Sequence, residues 1–148
     1  MKALITGGAG FIGSHLTDLL LAEGHTVIVV DNLCGGWKKN LIQAEKNPHF
    51  RFVQTDIRKP QELAPHFAGI DWVFHLAALA DIVPSIEKPR DYFETNVDGT
   101  FNVLEAAKQA HVKRFLYAAS SSCYGIAQQY PTPETAPIAP QYPYALTK

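Results

Sequence analysis

Near the N-terminus the run Gly7-Gly8-Ala9-Gly10-Phe11-Ile12-Gly13 reads both as GxxGxxG, through Gly7, Gly10 and Gly13, and as GxGxxG, through Gly8, Gly10 and Gly13. Glycines at these spacings permit a tight turn, bring backbone close to a pyrophosphate and let a helix pack on a strand. The unpaired N–H groups that open the following helix carry partial positive charge and favour an anion. Asp31 ends the next apolar run, where a carboxylate can accept hydrogen bonds from both ribose hydroxyls. Its charge repels a 2′-phosphate, so the pattern favours NAD over NADP, with Lys38 and Lys39 read as a solvated helix face. At the other end of the chain Tyr144 and Lys148 stand four apart, a spacing that on a helix puts both side chains on one face. An ammonium beside a phenol stabilises the phenolate, which makes Tyr144 a candidate proton acceptor and Lys148 its partner. Ser120 closes an apolar run, at the strand end where parallel sheets present their chemistry, and its hydroxyl can hold a substrate oxygen and relay a proton.

The elements that must position these residues follow from hydrophobic period. Short β-branched runs alternate with helix-period stretches, the pattern of βαβ units. Strands are predicted at Lys2–Thr6, Thr26–Val30, Phe50–Thr55, Asp71–His75 and Phe115–Ala119, with Leu76–Ala80 continuing the fourth. Helices are predicted at Phe11–Glu23, Lys38–Lys46, Pro60–Phe67 and from Arg90 to about Ala110. The first should bury Phe11, Ile12, His15, Leu16, Leu19 and Leu20. The last should turn Tyr92, Phe93, Val97, Phe101, Val103, Leu104 and Ala107 to the sheet. Gly99 inside that helix costs about 1 kcal/mol relative to Ala and so implies close packing there. Five prolines between 126 and 143 predict an extended loop, after which Tyr144–Lys148 opens another helix. Right-handed crossovers then give an α/β fold, a Rossmann-type doubly wound parallel sheet in the order 3-2-1-4-5. Such a fold needs more chain after its fifth strand, so residues 1–148 are expected to be one NAD-binding domain, the N-terminal part of a longer enzyme.

Composition narrows the function classes. With 148 residues, 47% hydrophobic, the chain has apolar content for one sizeable core. Thirteen Lys and Arg against fourteen Asp and Glu leave a net charge of −1, which argues against a nucleic-acid partner held by a basic surface. No apolar run is long enough to span a bilayer, so no membrane partner is expected. Cys34 and Cys123 form no CxxC pair, and the six histidines show no metal-ligand spacing, so no metal is expected. His75 reads as a residue that orders backbone at the end of the fourth strand. The expected location is the cytoplasm.

In order, TGGAGFIGSHL (6–16), DNL (31–33), DIR (56–58), HLAA (75–78), NVDGT (96–100), SSSCYG (120–125) and YALTK (144–148) carry a resemblance along the whole chain. They resemble the extended short-chain dehydrogenases/reductases of the NAD-dependent epimerase/dehydratase family, which act on nucleotide sugars. The resemblance implies that Phe11 and Ile12 line the pyrophosphate, that Asp31 and Asn32 hold the adenosine ribose and that Asp56 and Ile57 meet the adenine. It places Gly35, Leu76, Ala77, Ala78 and Asn96 along the cofactor. Ser120, Tyr144 and Lys148 fall at the chemistry, Tyr144 and Lys148 also touching NAD, with Ser121 and Ser122 beside the substrate. The family's 4,6-dehydratases carry an Asp-Glu pair after the catalytic Thr or Ser, and its decarboxylases keep a Glu. Ser121 and Ser122 stand at those positions here and cannot act as carboxylate bases. Cys123 reads as a small packing residue. What the resemblance then implies is an NAD-dependent isomerase, inverting C4 of a UDP-hexose by transient oxidation, and a homodimer. Two alternatives stay open: another nucleotide-sugar oxidoreductase of the family, such as a 4-keto reductase or dehydratase, and a non-catalytic NAD-binding fragment.

Overall fold

The computed structural model describes residues 1–148. Its strands are β1 (Lys2–Thr6), β2 (Thr26–Asp31), β3 (Phe50–Gln54), β4 (Trp72–His75) and β5 (Arg114–Tyr117). They pair in parallel as β3-β2-β1-β4-β5, the order expected from the crossovers. The central strands are apolar throughout because both faces are covered, and their side chains alternate between two cores. Leu4, Ile28, Val30 and Val73 pack with Leu63, Phe67 and Val103 on one face. Ala3, Ile5, Val27 and Val29 pack with Leu20, Leu21 and Leu41 on the other. Thr6 lies level with Val30 on one side and His75 on the other, so the crevice between β2 and β4 opens above the end of β1. This is the switch point of a doubly wound sheet.

Helix α1 spans Phe11–Ala22, but its buried face is Gly13, Ser14, Thr17, Leu20 and Leu21. Phe11, Ile12 and Leu19, expected inside, are 78%, 68% and 55% exposed. The glycine turn decides this rotation. A Cβ at Gly13 would overlap the Gly7 carbonyl oxygen and lie 2.6 Å from Gly8 Cα, so only a face of small residues can approach. The buried hydroxyls of Ser14 and Thr17 donate to the Phe11 and Gly13 carbonyls, which removes the cost of burying them.

Residues 38–46 form two 3₁₀ turns, Lys38–Leu41 and Ala44–Lys46, where one short helix was expected. Pro60–Leu63 is α2, extended by a 3₁₀ turn over Ala64–Phe67. Leu76–Ala80 does not continue β4. After His75 the neighbouring β1 turns away at Gly7 and β5 has ended at Tyr117, so no ladder is left to hold a strand. An unexpected helix, α3 (Ile82–Glu87), follows. The long helix is divided into α4 (Pro89–Tyr92), a π turn (Phe93–Asp98) and α5 (Gly99–Gln109). Tyr92, Val103 and Ala107 face inward as expected, whereas Phe93, Val97, Phe101 and Leu104 are 50%, 36%, 62% and 44% exposed. Gly99 sets that rotation: a Cβ there would come within 2.7 Å of the Ile57 side chain, the close packing its presence implied. Segment 118–142 runs without regular structure apart from a 3₁₀ turn at Ser121–Tyr124, and α6 (Pro143–Leu146) follows. No helix is long and apolar enough to cross a membrane.

Candidate active site

A cavity of about 390 Å³ occupies the crevice at the C-terminal ends of β1, β2 and β4. Of the residues singled out from sequence, Gly7, Gly10, Asp31, Asn32, Gly35, Ile57, Leu76, Ala77 and Ala78 line it. The glycines leave the space. Gly7 has a φ of +71°, and a Cβ on it would lie 2.7 Å from the Ala77 nitrogen. A Cβ on Gly35 would meet no atom within 4 Å, so any side chain there would project into open room. Gly10 caps α1 with no side-chain hydrogen bond, leaving the first N–H groups of a twelve-residue helix open to an anion.

Asp31 is buried, and both its oxygens already accept backbone hydrogen bonds, from Ala9 N–H (2.9 Å) and Leu33 N–H (2.8 Å). One bond ties the end of β2 to the glycine turn and the other folds the chain back over the cavity mouth. Each oxygen keeps a lone pair for a ribose hydroxyl. At the far end Asp56 is clamped by Arg58, whose Nε and Nη2 donate at 3.0 and 2.7 Å, while Asn32 donates at 2.9 Å. The Arg58 guanidinium holds that carboxyl well below the usual carboxylate range. Ile57 therefore faces the cavity while Asp56 does not.

The opposite wall is the strip Leu76–Asp81. His75, 1% exposed, anchors its start: Thr6 Oγ1 lies 2.6 Å from Nδ1 and Thr100 Oγ1 lies 2.8 Å from Nε2. Thr6 Oγ1 also accepts from Ala77 N–H at 3.3 Å. Asn96 anchors the far end of the strip through Leu79, donating to its carbonyl (3.0 Å) and accepting from its N–H (2.8 Å). Asn96 does not line this cavity, and neither do Phe11, Ile12, Gly13 or Asp56.

Ser120, Ser121, Ser122, Tyr144 and Lys148 gather outside the cavity, beyond the end of β5, where α6 packs on the Ser121–Tyr124 turn. Ser120 Oγ accepts from Ser122 N–H at 3.2 Å, so its own proton is free to be donated. Tyr144 packs edge-on to Tyr92 and face-on to Tyr142. α6 ends at Leu146, with Thr147 as its C-cap, so Lys148 lies just past the helix that carries Tyr144. Its ammonium donates to the Ala118 carbonyl at 2.5 Å and sits 4.6 Å from the Tyr117 ring centre. Half-burial pushes the Lys148 ammonium below its ordinary value, and burial pushes the Tyr117 phenol up, with Tyr144 adding to it.

Cys34, Gly36, Thr55, Leu79, Ala80, Asp81, Tyr92 and Thr95 also line the cavity and were not singled out from sequence. Gly36 had a readable signal in its Gly-Gly pair: a Cβ on it would lie 3.0 Å from Asp31 Oδ2. Tyr92 and Thr95 had none, since both look like ordinary helix residues. A glycine-lined cleft with an uncapped helix end and a buried carboxylate fits NAD in its phosphate and ribose demands alike.

The family model described as the NAD dependent epimerase/dehydratase family matches residues 3–148. A UDP-glucose 4-epimerase of Mycolicibacterium smegmatis is 41% identical over all of this chain, which spans 48% of that protein's length. The structure of a UDP-glucose-4-epimerase from Stenotrophomonas maltophila with bound NAD and formylated UDP-arabinopyranose aligns at a TM-score of 0.93 and 36% identity. It covers 100% of this chain and 45% of that one. DesIV, a dTDP-glucose 4,6-dehydratase from Streptomyces venezuelae with NAD and TYD bound, aligns at 0.95 and 38% identity, over 100% of this chain and 48% of its own. A UDP-glucuronic acid decarboxylase 2 of Arabidopsis thaliana is 42% identical over 91% of this chain, which spans 29% of that protein's length, so the likeness covers at least three reactions.

Proposed function

The chain belongs to the NAD dependent epimerase/dehydratase family, and from that premise we propose that it forms the NAD-binding part of an enzyme that inverts C4 of a UDP-hexose. The observation that carries this reading is the turn after β5: Ser120, Ser121, Ser122 and Cys123 supply hydroxyls and a thiol but no carboxylate. Elimination of water from the sugar needs an acid and a base away from C4, and this turn has neither. Inversion at C4 needs only one proton acceptor and one hydroxyl to hold the oxygen.

Bound NAD supplies a reversible hydride acceptor beside C4. Gly7, Gly10 and the start of α1 hold the pyrophosphate, Asp31 and Asn32 the adenosine ribose, and Ile57 the adenine. The strip Leu76–Ala78 supports the nicotinamide half. Tyr144, as phenolate, takes the proton of the 4-hydroxyl and gives it back once the sugar has turned its other face. Ser120 donates a hydrogen bond to the same oxygen and keeps its proton. Lys148 supplies positive charge at the phenol and reaches the nicotinamide ribose once it leaves the Ala118 carbonyl. The exposed line Phe93, Val97, Phe101 and Leu104 is the surface at which a second copy would pair.

In the full-length protein, Tyr144→Phe should lower UDP-glucose/UDP-galactose interconversion by about 10²- to 10⁴-fold. Near-wild-type epimerisation in that variant removes the mechanism. The likeness to DesIV supports a second reading, a 4,6-dehydratase, beside the 4-keto reductase that the sequence left open. Product analysis separates them: an epimerase uses no net NADH, a reductase uses one per product, and a dehydratase yields a 4-keto-6-deoxy sugar.

A further inference from the structure

Asn96 and Thr147 are buried, at 3% and 7% exposure, yet neither lines the cavity at the ends of β1, β2 and β4. Asn96 lies in the π turn, a widened helical turn of a kind frequent at functional positions. Its amide has one acceptor and two donors in use: Oδ1 accepts from Leu79 N–H, and Nδ2 donates to the Leu79 carbonyl and, at 3.1 Å, to Thr147 Oγ1. Thr147 passes its own proton on to the Tyr144 carbonyl at 3.0 Å. An unbroken chain of hydrogen bonds therefore runs from Leu79, in the cavity wall, to the backbone of Tyr144. Tyr92, also buried, is a second link, its hydroxyl accepting from Asp81 N–H at 3.1 Å and its ring edge-on to Tyr144, but the hydrogen bonds through Asn96 and Thr147 are what reach the Tyr144 backbone.

We propose that Asn96 and Thr147 form a strut that sets the spacing between the cofactor wall and the Tyr144–Lys148 segment, which makes Thr147 a positioning residue for the reaction. The inference rests on the roles proposed above for the cavity and for Tyr144. α6 is a single turn of four residues whose orientation depends on what it packs against: α3, α4 and the Ser121–Tyr124 turn. The strut adds a directional polar restraint to that packing at Thr147, between the two residues that must be aimed. Displacing a reacting group by about 1 Å costs on the order of 10²-fold in rate, so loss of the strut should appear in kcat.

The test uses the full-length protein with Thr147→Val, which keeps the shape and removes the hydroxyl, and Thr147→Ser, which keeps the hydroxyl. Thr147→Val should lower kcat by about 10- to 100-fold with KM and NAD affinity nearly unchanged, and Thr147→Ser should restore kcat. Reductive methylation of Lys148, followed by mass spectrometry, should run at least about fivefold faster in Thr147→Val, because the segment opens more often. Should Thr147→Val fail to fold, Thr147→Ala removes the same hydroxyl and carries the same expectations. Wild-type kcat and labelling without the hydroxyl overturn the strut, and so does a Thr147→Ser variant as impaired as Thr147→Val, which would make the residue a packing element only. A wild-type protein that turns over no UDP-hexose refutes the proposed function instead, and Lys148 labelling still decides the strut.

Discussion

Acidification should destabilise the wall of the cofactor cavity through His75. Thr6 Oγ1 accepts from Ala77 N–H and lies 2.6 Å from His75 Nδ1, and in the tautomer with Thr6 donating to Nδ1, Nε2 carries the ring proton and donates to Thr100. A second proton would set two donors against each other at Nδ1. Burial, with the Lys148 charge adding to it, pushes the imidazole down to about 4. In the unfolded chain the same ring takes a proton near 6.5. Between those values the unfolded state binds more protons than the folded one. The contribution of His75 is therefore complete above about pH 6.5 and is lost as pH falls toward 4. The full loss is about 3 kcal/mol, and about 2 kcal/mol of it should be gone by about pH 5. Asp56, Asp71 and Glu62, held below ordinary carboxylate values by their partners, add loss of the same sign only below about pH 5, so the comparison stops there. His66 is also pushed down by partial burial and adds loss of the same sign, so it should first be replaced by Gln. Urea unfolding of full-length His66→Gln near neutrality and near pH 5 gives the difference, and a ring-proton NMR titration gives the His75 value directly. Equal stability at the two pH values, or a His75 ring that titrates near 6.5, would refute the reasoning.

Gly7→Ala places a methyl carbon 2.7 Å from Ala77 N and 2.8 Å from Leu76 C, backbone atoms that cannot swing aside, at a φ of +71°. It should weaken NAD binding by more than about tenfold and cost about 2 kcal/mol or more, read by calorimetric titration and thermal melting; unchanged affinity would leave the turn without its assigned role. For the proposed pairing surface, Phe101→Glu should convert a dimer to a monomer in sedimentation velocity at micromolar concentration. A wild-type protein already monomeric there sinks the pairing.

Much of the cavity lining could be read before any coordinates because the demands are local. Gly7, Gly10, Asp31 and Ile57 sit at or just past the C-terminal ends of β1, β2 and β3, and the order of those strands dictates the crevice they share. Gly99 is the clearest case: a residue with a known cost in a helix signalled a contact, and the contact is with Ile57. The misreadings are of another kind. Phe11, Ile12, Phe93 and Phe101 are apolar and periodic, yet helix rotation followed the small residues Gly13 and Gly99, because close approach of backbone outweighs the apolar stripe. Hydropathy records what a side chain prefers, not which neighbour can come near.

By itself the sequence determined the parallel sheet, its strand order, the glycine turn with its acid partner and the family. Each depends on short-range pattern or on motifs that keep their order along the chain. Tertiary structure alone decided that Asp56 is spent on Arg58, that Lys148 leans on Tyr117 and Ala118, and that Asn96 ties Leu79 to Thr147. Those pairings join residues as many as 51 positions apart, and whether such groups meet depends on how helices rotate and where turns end, which no local spacing records.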